Sequence, residues 1–197
     1  MNLENALFDI AREQQGYFTT KQAKRVGYAS SQLTRRIESG TFIKAGRGIY
    51  RLRNYVQYLP YYPVLVPLAL WSCNSREEIQ GTFSHYTACR IHGLLNDFSL
   101  NSCEIMTVPA AFRVHKETPK SLDIRHADLE PSERQWKQGY YVTTVVRTLY
   151  DMIEEYALCD GEKVEGLIKN ALKENLIGAP EAISLFTYYG EHIEEKS

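Results

Sequence analysis

Apolar residues recur at helical spacing at the start of the chain. Five of them share one side of a helix: Leu3, Ala6, Leu7, Ile10 and Ala11. The residues between them are mostly polar, and this 3.6-residue period predicts an amphipathic helix over residues 3–14.

Two shorter helices are predicted next. Thr19 and Gln22 have the spacing of a capping box, in which each side chain bonds the backbone of the other residue. Gly27 ends this second helix, and a third helix opens at Ser30 or Ser31. Two short helices joined by a turn that contains glycine are typical of a helix-turn-helix.

The third helix has a polar outward face. Successive residues are about 100° apart on a helix, so Leu33 and Ile37 set the buried side and Arg35 points away from it. The residues predicted to face DNA from this helix are Ser31, Gln32, Thr34, Arg35 and Arg36. Serine, glutamine and arginine side chains can bond base edges in a major groove.

The segment "FIKAGRGIYRLR" alternates apolar and polar residues around a turn at 45–48, which predicts a β-hairpin wing. Residues 1–53 carry ten Lys or Arg against four acids, a net charge of +6, while residues 54–197 carry −7. Such a basic end is expected of a phosphate-binding domain, although lysine and arginine also cover many ordinary helices. The predicted phosphate contacts are Lys21, Lys24, Arg25, Lys44 and Arg47.

The predicted organisation is a winged helix-turn-helix over 1–53, a proline-containing linker over 54–65 and an α+β domain over 66–197. Strands are expected at "CEIMTVP", "SLDIRHA" and "QGYYVTT", and the C-terminal section is helical, with disorder expected only in the final "EHIEEKS". The apolar run "YLPYYPVLVPLALWSC" is too short and too rich in proline for a membrane span, and a short buried helix over 66–73 is expected instead.

Two further features indicate a cytoplasmic protein. No signal peptide pattern opens the chain. The four cysteines have no CxxC spacing and lie among apolar residues, so we expect reduced thiols in the core.

Three segments carry a family resemblance. "FTTKQAKRVGYASSQLTRRIESGTFIKAGRGIYRL" resembles the winged-helix domain of AbiEi-type antitoxins, and "SHYTACRIHGL" and "VTTVVRTLYDMI" are similar to two motifs of the domain that follows it in that family. The resemblance implies the antitoxin of a type IV toxin–antitoxin pair, often linked to phage defence. It implies a repressor of its own operon that binds double-stranded operator DNA and neutralises a nucleotidyltransferase-like toxin.

Two clusters in the second domain have both a functional and a structural interpretation. His85, Cys89 and His92 share one side of a helix at a spacing compatible with metal binding, but convergence of all three is difficult and no fourth ligand is evident apart from His115 or His126 in distant loops. Arg147 and Asp151 are spaced to pair on a helix, either to hold it in place or to contact a partner. We therefore expect structural roles, with no metal and no cofactor.

No enzyme signature is present, and candidate nuclease carboxylates lack a nearby lysine, so we expect a protein that is not an enzyme. The acidic second domain suits a basic partner, and the repressor could self-associate on DNA. Two alternatives stay open: a ligand-responsive winged-helix transcription factor without a toxin partner, and a DNA-binding enzyme with a degenerate nuclease domain.

Overall fold

The computed structural model describes residues 2–55, 64–95, 103–113 and 117–196. The chain forms two compact units: unit 1 comprises residues 1–81 and 136–140, and unit 2 comprises residues 82–135 and 141–197. No helix within the described ranges is both long enough and apolar enough to cross a membrane.

Unit 1 begins with the elements of a winged helix: α1 (Leu3–Arg12), β1 (Tyr17–Thr19), α2 (Thr20–Arg25), α3 (Ser30–Glu38), β2 (Phe42–Gly46) and β3 (Ile49–Leu52). β1 and β2 both pair antiparallel with β3, so the sheet order is β1-β3-β2. β2 and β3 form the wing. The order confirms the predicted fold of this part of the chain.

Local interactions explain where the short helices start and stop. The Thr19 hydroxyl accepts the Gln22 N–H at 3.1 Å and the Gln22 side chain accepts the Thr19 N–H at 2.8 Å, which confirms the capping box. Gly27 follows α2 with φ +109°, a conformation that glycine adopts without strain. α3 begins at Ser30 as predicted, but Ala29 occupies the N-cap position.

Unit 1 has a core of seven buried side chains: Leu7, Ala11, Phe18, Ala23, Tyr28, Leu33 and Phe42. The Phe18 and Phe42 rings meet edge to face with centroids 4.9 Å apart, a favoured aromatic geometry. This core joins all three helices to the sheet.

The predicted short apolar helix is α4 (Leu65–Trp71), which packs against β1 and β3. It therefore belongs to unit 1, and the boundary between the units follows Gly81 rather than residue 65. Most of the predicted linker, residues 56–63, lies outside the described residues.

Unit 2 has an α+β architecture. Its elements, apart from residues 136–140 of β7 and β8, which are counted in unit 1, are β4 (Thr82–Phe83), α5 (His85–Ile91), β5 (Glu104–Val108), β6 (Leu122–His126), a 3₁₀ turn (Pro131–Glu133), β7 (Arg134–Lys137), β8 (Tyr140–Thr143), α6 (Val145–Tyr156), α7 (Gly161–Lys173) and α8 (Ala179–Lys196). The sheet order is β6-β5-β4-β8-β7, with β4 antiparallel to β5 and parallel to β8. This confirms the predicted α+β class.

α5, α6, α7 and α8 share one apolar core. α8 continues through Gly190 to Lys196, so the disorder predicted for the C-terminal residues is wrong up to that point. His192 is buried and Ile193 packs against the helical core, which explains why the helix extends this far.

Leu185 and Ile183 on α8 offer a matched test of this packing. Leu185 is fully buried and Ile183 is 68% exposed. We expect Leu185→Ala to lower the free energy of unfolding by about 2–5 kcal/mol, because it leaves a cavity. Ile183→Ala should change it by less than about 0.5 kcal/mol. Urea unfolding followed by circular dichroism measures both; equal losses would contradict the assigned core face of α8.

Candidate nucleic-acid interface and the polar network of unit 2

The exposed face of α3 contains the residues predicted to read bases. Leu33 is buried, while Ser31 and Arg35 are exposed. Two other candidates also act within the helix. The Gln32 side-chain oxygen accepts the Ala29 N–H at 2.8 Å, and the Thr34 hydroxyl donates to the Ser30 carbonyl at 3.1 Å. Arg35 therefore has the greatest freedom to reach a base among the longer side chains of this face.

Several predicted phosphate contacts precede or follow α3 along the chain. Lys21 and Lys24 are exposed on α2, Lys44 is exposed on β2, and Arg47 is exposed in the turn of the wing. Within the described part of the chain, these four side chains and Arg35 form no ion pair. Three consecutive elements of the winged helix thus present cations to solvent.

Two predicted DNA contacts are already paired with carboxylates. Arg25, at the end of α2, forms an ion pair with Glu77. Arg36 is half-buried and pairs with Glu4 of α1 beside a cavity of about 420 Å³. The Arg36 guanidinium turns toward α1, so a contact with DNA, which stays a prediction, would compete with Glu4.

His85 lies in a buried polar network at the start of α5. Its Nδ1 is 2.9 Å from the Ser84 hydroxyl, and its Nε2 is 3.1 Å from a Glu155 carboxylate oxygen. Burial lowers the pKa of His85 to about 4, although the charge of Glu155 opposes this shift. The imidazole is neutral at physiological pH, and His85 adopts φ +50°, a conformation that is uncommon for residues other than glycine.

Glu155 connects His85 to the edge of the sheet. Arg125 on β6 donates to both Glu155 oxygens, at 3.0 and 2.6 Å. These hydrogen bonds lower the pKa of Glu155 to about 2. Sequence reasoning missed this pair because its members are 30 residues apart and no local spacing indicates it.

The predicted pair of Arg147 and Asp151 is present on α6, with Nε to Oδ1 at 2.8 Å. Arg147 also bonds Glu133 at 2.9 Å, so the guanidinium ties α6 to the 3₁₀ turn. Asp151 is only 3% exposed, and its Oδ2 has no hydrogen-bond partner among the described residues. Burial raises the pKa of Asp151 to about 6 despite the nearby guanidinium.

The residues with metal-like spacing have separate partners. His92 Nε2 lies 2.7 Å from the Thr143 carbonyl, and Cys89 is buried in the helical core. In the described ranges, no group of three or more His, Cys, Asp or Glu side chains is arranged to hold a metal ion.

The expected buried cysteine thiols are confirmed only for Cys89. Cys73 and Cys103 are partly buried and Cys159 is exposed, so the prediction that all four lie in the core is wrong. All four are free thiols. Thr144 occupies the N-cap position of α6, and Thr143 is buried at the end of β8.

The element order and the sheet order place residues 2–55 of unit 1 in the class of winged-helix domains. Residues 5–53 match the family model described as "Transcriptional regulator, AbiEi antitoxin". The resemblance to AbiEi-type antitoxins is therefore confirmed over the winged helix. The resemblance of the later motifs lies outside the matched residues.

The whole fold also has a structural relative. The chain is similar to the RV2827C protein from Mycobacterium tuberculosis, with a TM-score of 0.51 over 94% of this chain and 80% of that chain. At 11% sequence identity, the similarity shows the fold alone. Among curated proteins, none matches the chain significantly.

His85 and Asp151 should give opposite pH dependences of stability. The unfolded chain binds a proton at His85 near pH 6.5 while the folded chain resists it until about pH 4, so this group lowers stability as pH falls. Asp151 binds its proton near pH 6 when folded and near 3.8 when unfolded, so it raises stability as pH falls. Each contribution amounts to about 1–2 kcal/mol between pH 6.5 and 5.

Urea unfolding at pH 6.5 and pH 5 separates the two contributions. His85→Gln should become more stable relative to wild type as the pH is lowered, and Asp151→Asn should become less stable. If both variants follow the wild-type pH dependence, the lowered pKa of His85 and the raised pKa of Asp151 are both contradicted.

Proposed function

We propose that this protein is a DNA-binding antitoxin that represses its own toxin–antitoxin operon and neutralises a nucleotidyltransferase-like toxin. The observation that carries the proposal is a basic winged helix, matched to an antitoxin regulator family, whose recognition helix presents an exposed Arg35. Binding to double-stranded operator DNA follows from this surface.

The DNA-binding part of the proposal assigns two kinds of contact. Arg35 reads a base edge, with Ser31 on the same exposed face of α3. Lys21, Lys24, Lys44 and Arg47 contact phosphates, and the net charge of +6 over residues 1–53 supports such contacts. Phosphate contacts position the domain, and the base contacts select the operator.

The toxin-binding part assigns the partner to the second unit. Residues 82–135 and 141–197, which form unit 2, hold 11 Lys or Arg against 18 Asp or Glu, and this net charge of −7 favours association with a basic protein such as one that handles RNA. The nucleotidyltransferase-like class of the toxin, and self-association of the repressor on DNA, come from the family resemblance. Both activities are binding activities in the cytoplasm, so the proposal contains no catalytic step.

Arg35→Ala tests the recognition helix. We expect it to weaken binding to a duplex from the protein's own upstream region by about 1–3 kcal/mol, the usual value of one good base contact. Binding to a scrambled duplex should change much less. Fluorescence anisotropy at several salt concentrations measures both affinities.

Arg36→Ala is the matched control, because Arg36 is paired with Glu4 and should contribute less. If Arg35→Ala loses equal affinity for the native and the scrambled duplex, Arg35 contacts a phosphate rather than a base. If Arg35→Ala binds the native duplex as tightly as wild type does, the assignment of α3 to the DNA interface is contradicted.

Neutralisation should survive the loss of operator binding. We expect full-length wild type and Arg35→Ala to restore growth equally when co-expressed with a toxic product of the adjacent reading frame, because Arg35 lies in the winged helix. Growth under inducible expression, with antitoxin levels matched by immunoblot, measures this. Failure of wild type to restore growth would contradict the antitoxin role, and failure of Arg35→Ala alone would contradict separate functions.

A further inference from the structure

The turn that follows α4 is fixed by its own hydrogen bonds. The Asn74 N–H donates to the Glu78 carbonyl at 3.0 Å, and the Glu77 N–H donates to the Asn74 carbonyl at 3.2 Å. The Asn74 side-chain oxygen accepts from the Arg76 and Glu78 N–H groups at 2.8 and 3.1 Å. Residues 74–78 therefore hold one conformation with little help from solvent.

This turn directs a carboxylate at the proposed DNA-binding surface. Glu77 has φ +67°, a conformation that places its side chain where an ordinary extended or helical residue would not. The Glu77 side chain is only 17% exposed, whereas its partner Arg25 is 59% exposed. Glu77 is therefore the largely buried member of the ion pair, and Arg25 is the member that solvent can reach.

We propose that Glu77 limits the DNA affinity of the winged helix by neutralising Arg25. This inference rests on the proposed DNA binding, and it concerns a residue beyond the segment that matches the antitoxin regulator family. Glu77 acts through Arg25 and does not itself contact DNA.

A DNA phosphate and the Glu77 carboxylate compete for Arg25. A phosphate oxygen and the Glu77 carboxylate are both acceptors for the same guanidinium. If a phosphate displaces Glu77 from Arg25, the largely buried carboxylate loses its partner. If the phosphate and Glu77 share Arg25, the two negative charges lie close together and repel each other. Because the Glu77 side chain is largely buried, it has less rotamer freedom to lose on pairing than an exposed side chain.

The salt dependence of binding reports this competition directly. Each phosphate that a cation neutralises releases counterions and contributes about −0.9 to the slope of log K against log salt concentration. An Arg25 held by Glu77 neutralises no phosphate. Glu77→Gln frees the guanidinium while it preserves the size of the side chain.

The experiment is a double-mutant cycle with full-length protein on the native upstream duplex. We expect Glu77→Gln to bind about two- to fivefold more tightly at low salt, with a slope steeper by about 0.9. In an Arg25→Gln background, Glu77→Gln should have no such effect. Glu77→Gly, which keeps the positive φ and removes the acid, should match Glu77→Gln in affinity and slope, which excludes a folding artefact.

Glu13→Gln is the matched charge control, because Glu13 pairs with Arg12 outside the predicted interface. Unchanged affinity and slope in both Glu77 variants would overturn the proposal. So would an equal gain in the Arg25→Gln background or in Glu13→Gln, since that would indicate a general charge effect. If wild type and the Glu77 variants all fail to bind any duplex, the proposed DNA binding itself is overturned.

Discussion

Burial of Leu33 determines which side of α3 can meet another molecule. Leu33 packs with Phe18 of β1 and Phe42 of β2 in the core of unit 1, and this packing holds the helix against the sheet. Rotation of α3 would expose Leu33 and bury charged residues, at a cost of several kcal/mol by typical burial energies. The exposed position of Arg35 is therefore a consequence of apolar packing, and the proposed recognition face follows from it.

Much of the fold could be predicted because its signals are local. The Thr19 and Gln22 capping box, the glycine after α2 and the helical period of α1 each act within a few residues, and all appear in the structure. The sheet order and the membership of α4 in unit 1 depend on contacts between distant segments. No periodicity in a single sequence contains that information, so it could not place α4 with the winged helix.

The candidate site was less predictable for the same reason. The pairing of Arg147 with Asp151 was predicted from its spacing on one helix, but its third member, Glu133, lies on a separate turn. The bidentate contact of Arg125 with Glu155, and the burial of His85 beside it, also require the folded chain. A sequence can identify charged residues on an exposed face, but it cannot say which of them already have partners.

Partners matter more than net charge for the proposed interface. In physiological salt, interactions beyond about 8 Å are strongly screened, and the nine-residue α3 is itself ~13 Å long. Acids elsewhere in a chain of net charge −1 therefore have little effect on a cation such as Arg35, whereas an acid in direct contact neutralises its partner. Arg25 and Arg36 are both in this second situation. The cations that can bind phosphate are those that the fold leaves without a carboxylate partner. Residues 1–53 therefore contain more basic residues than available phosphate contacts.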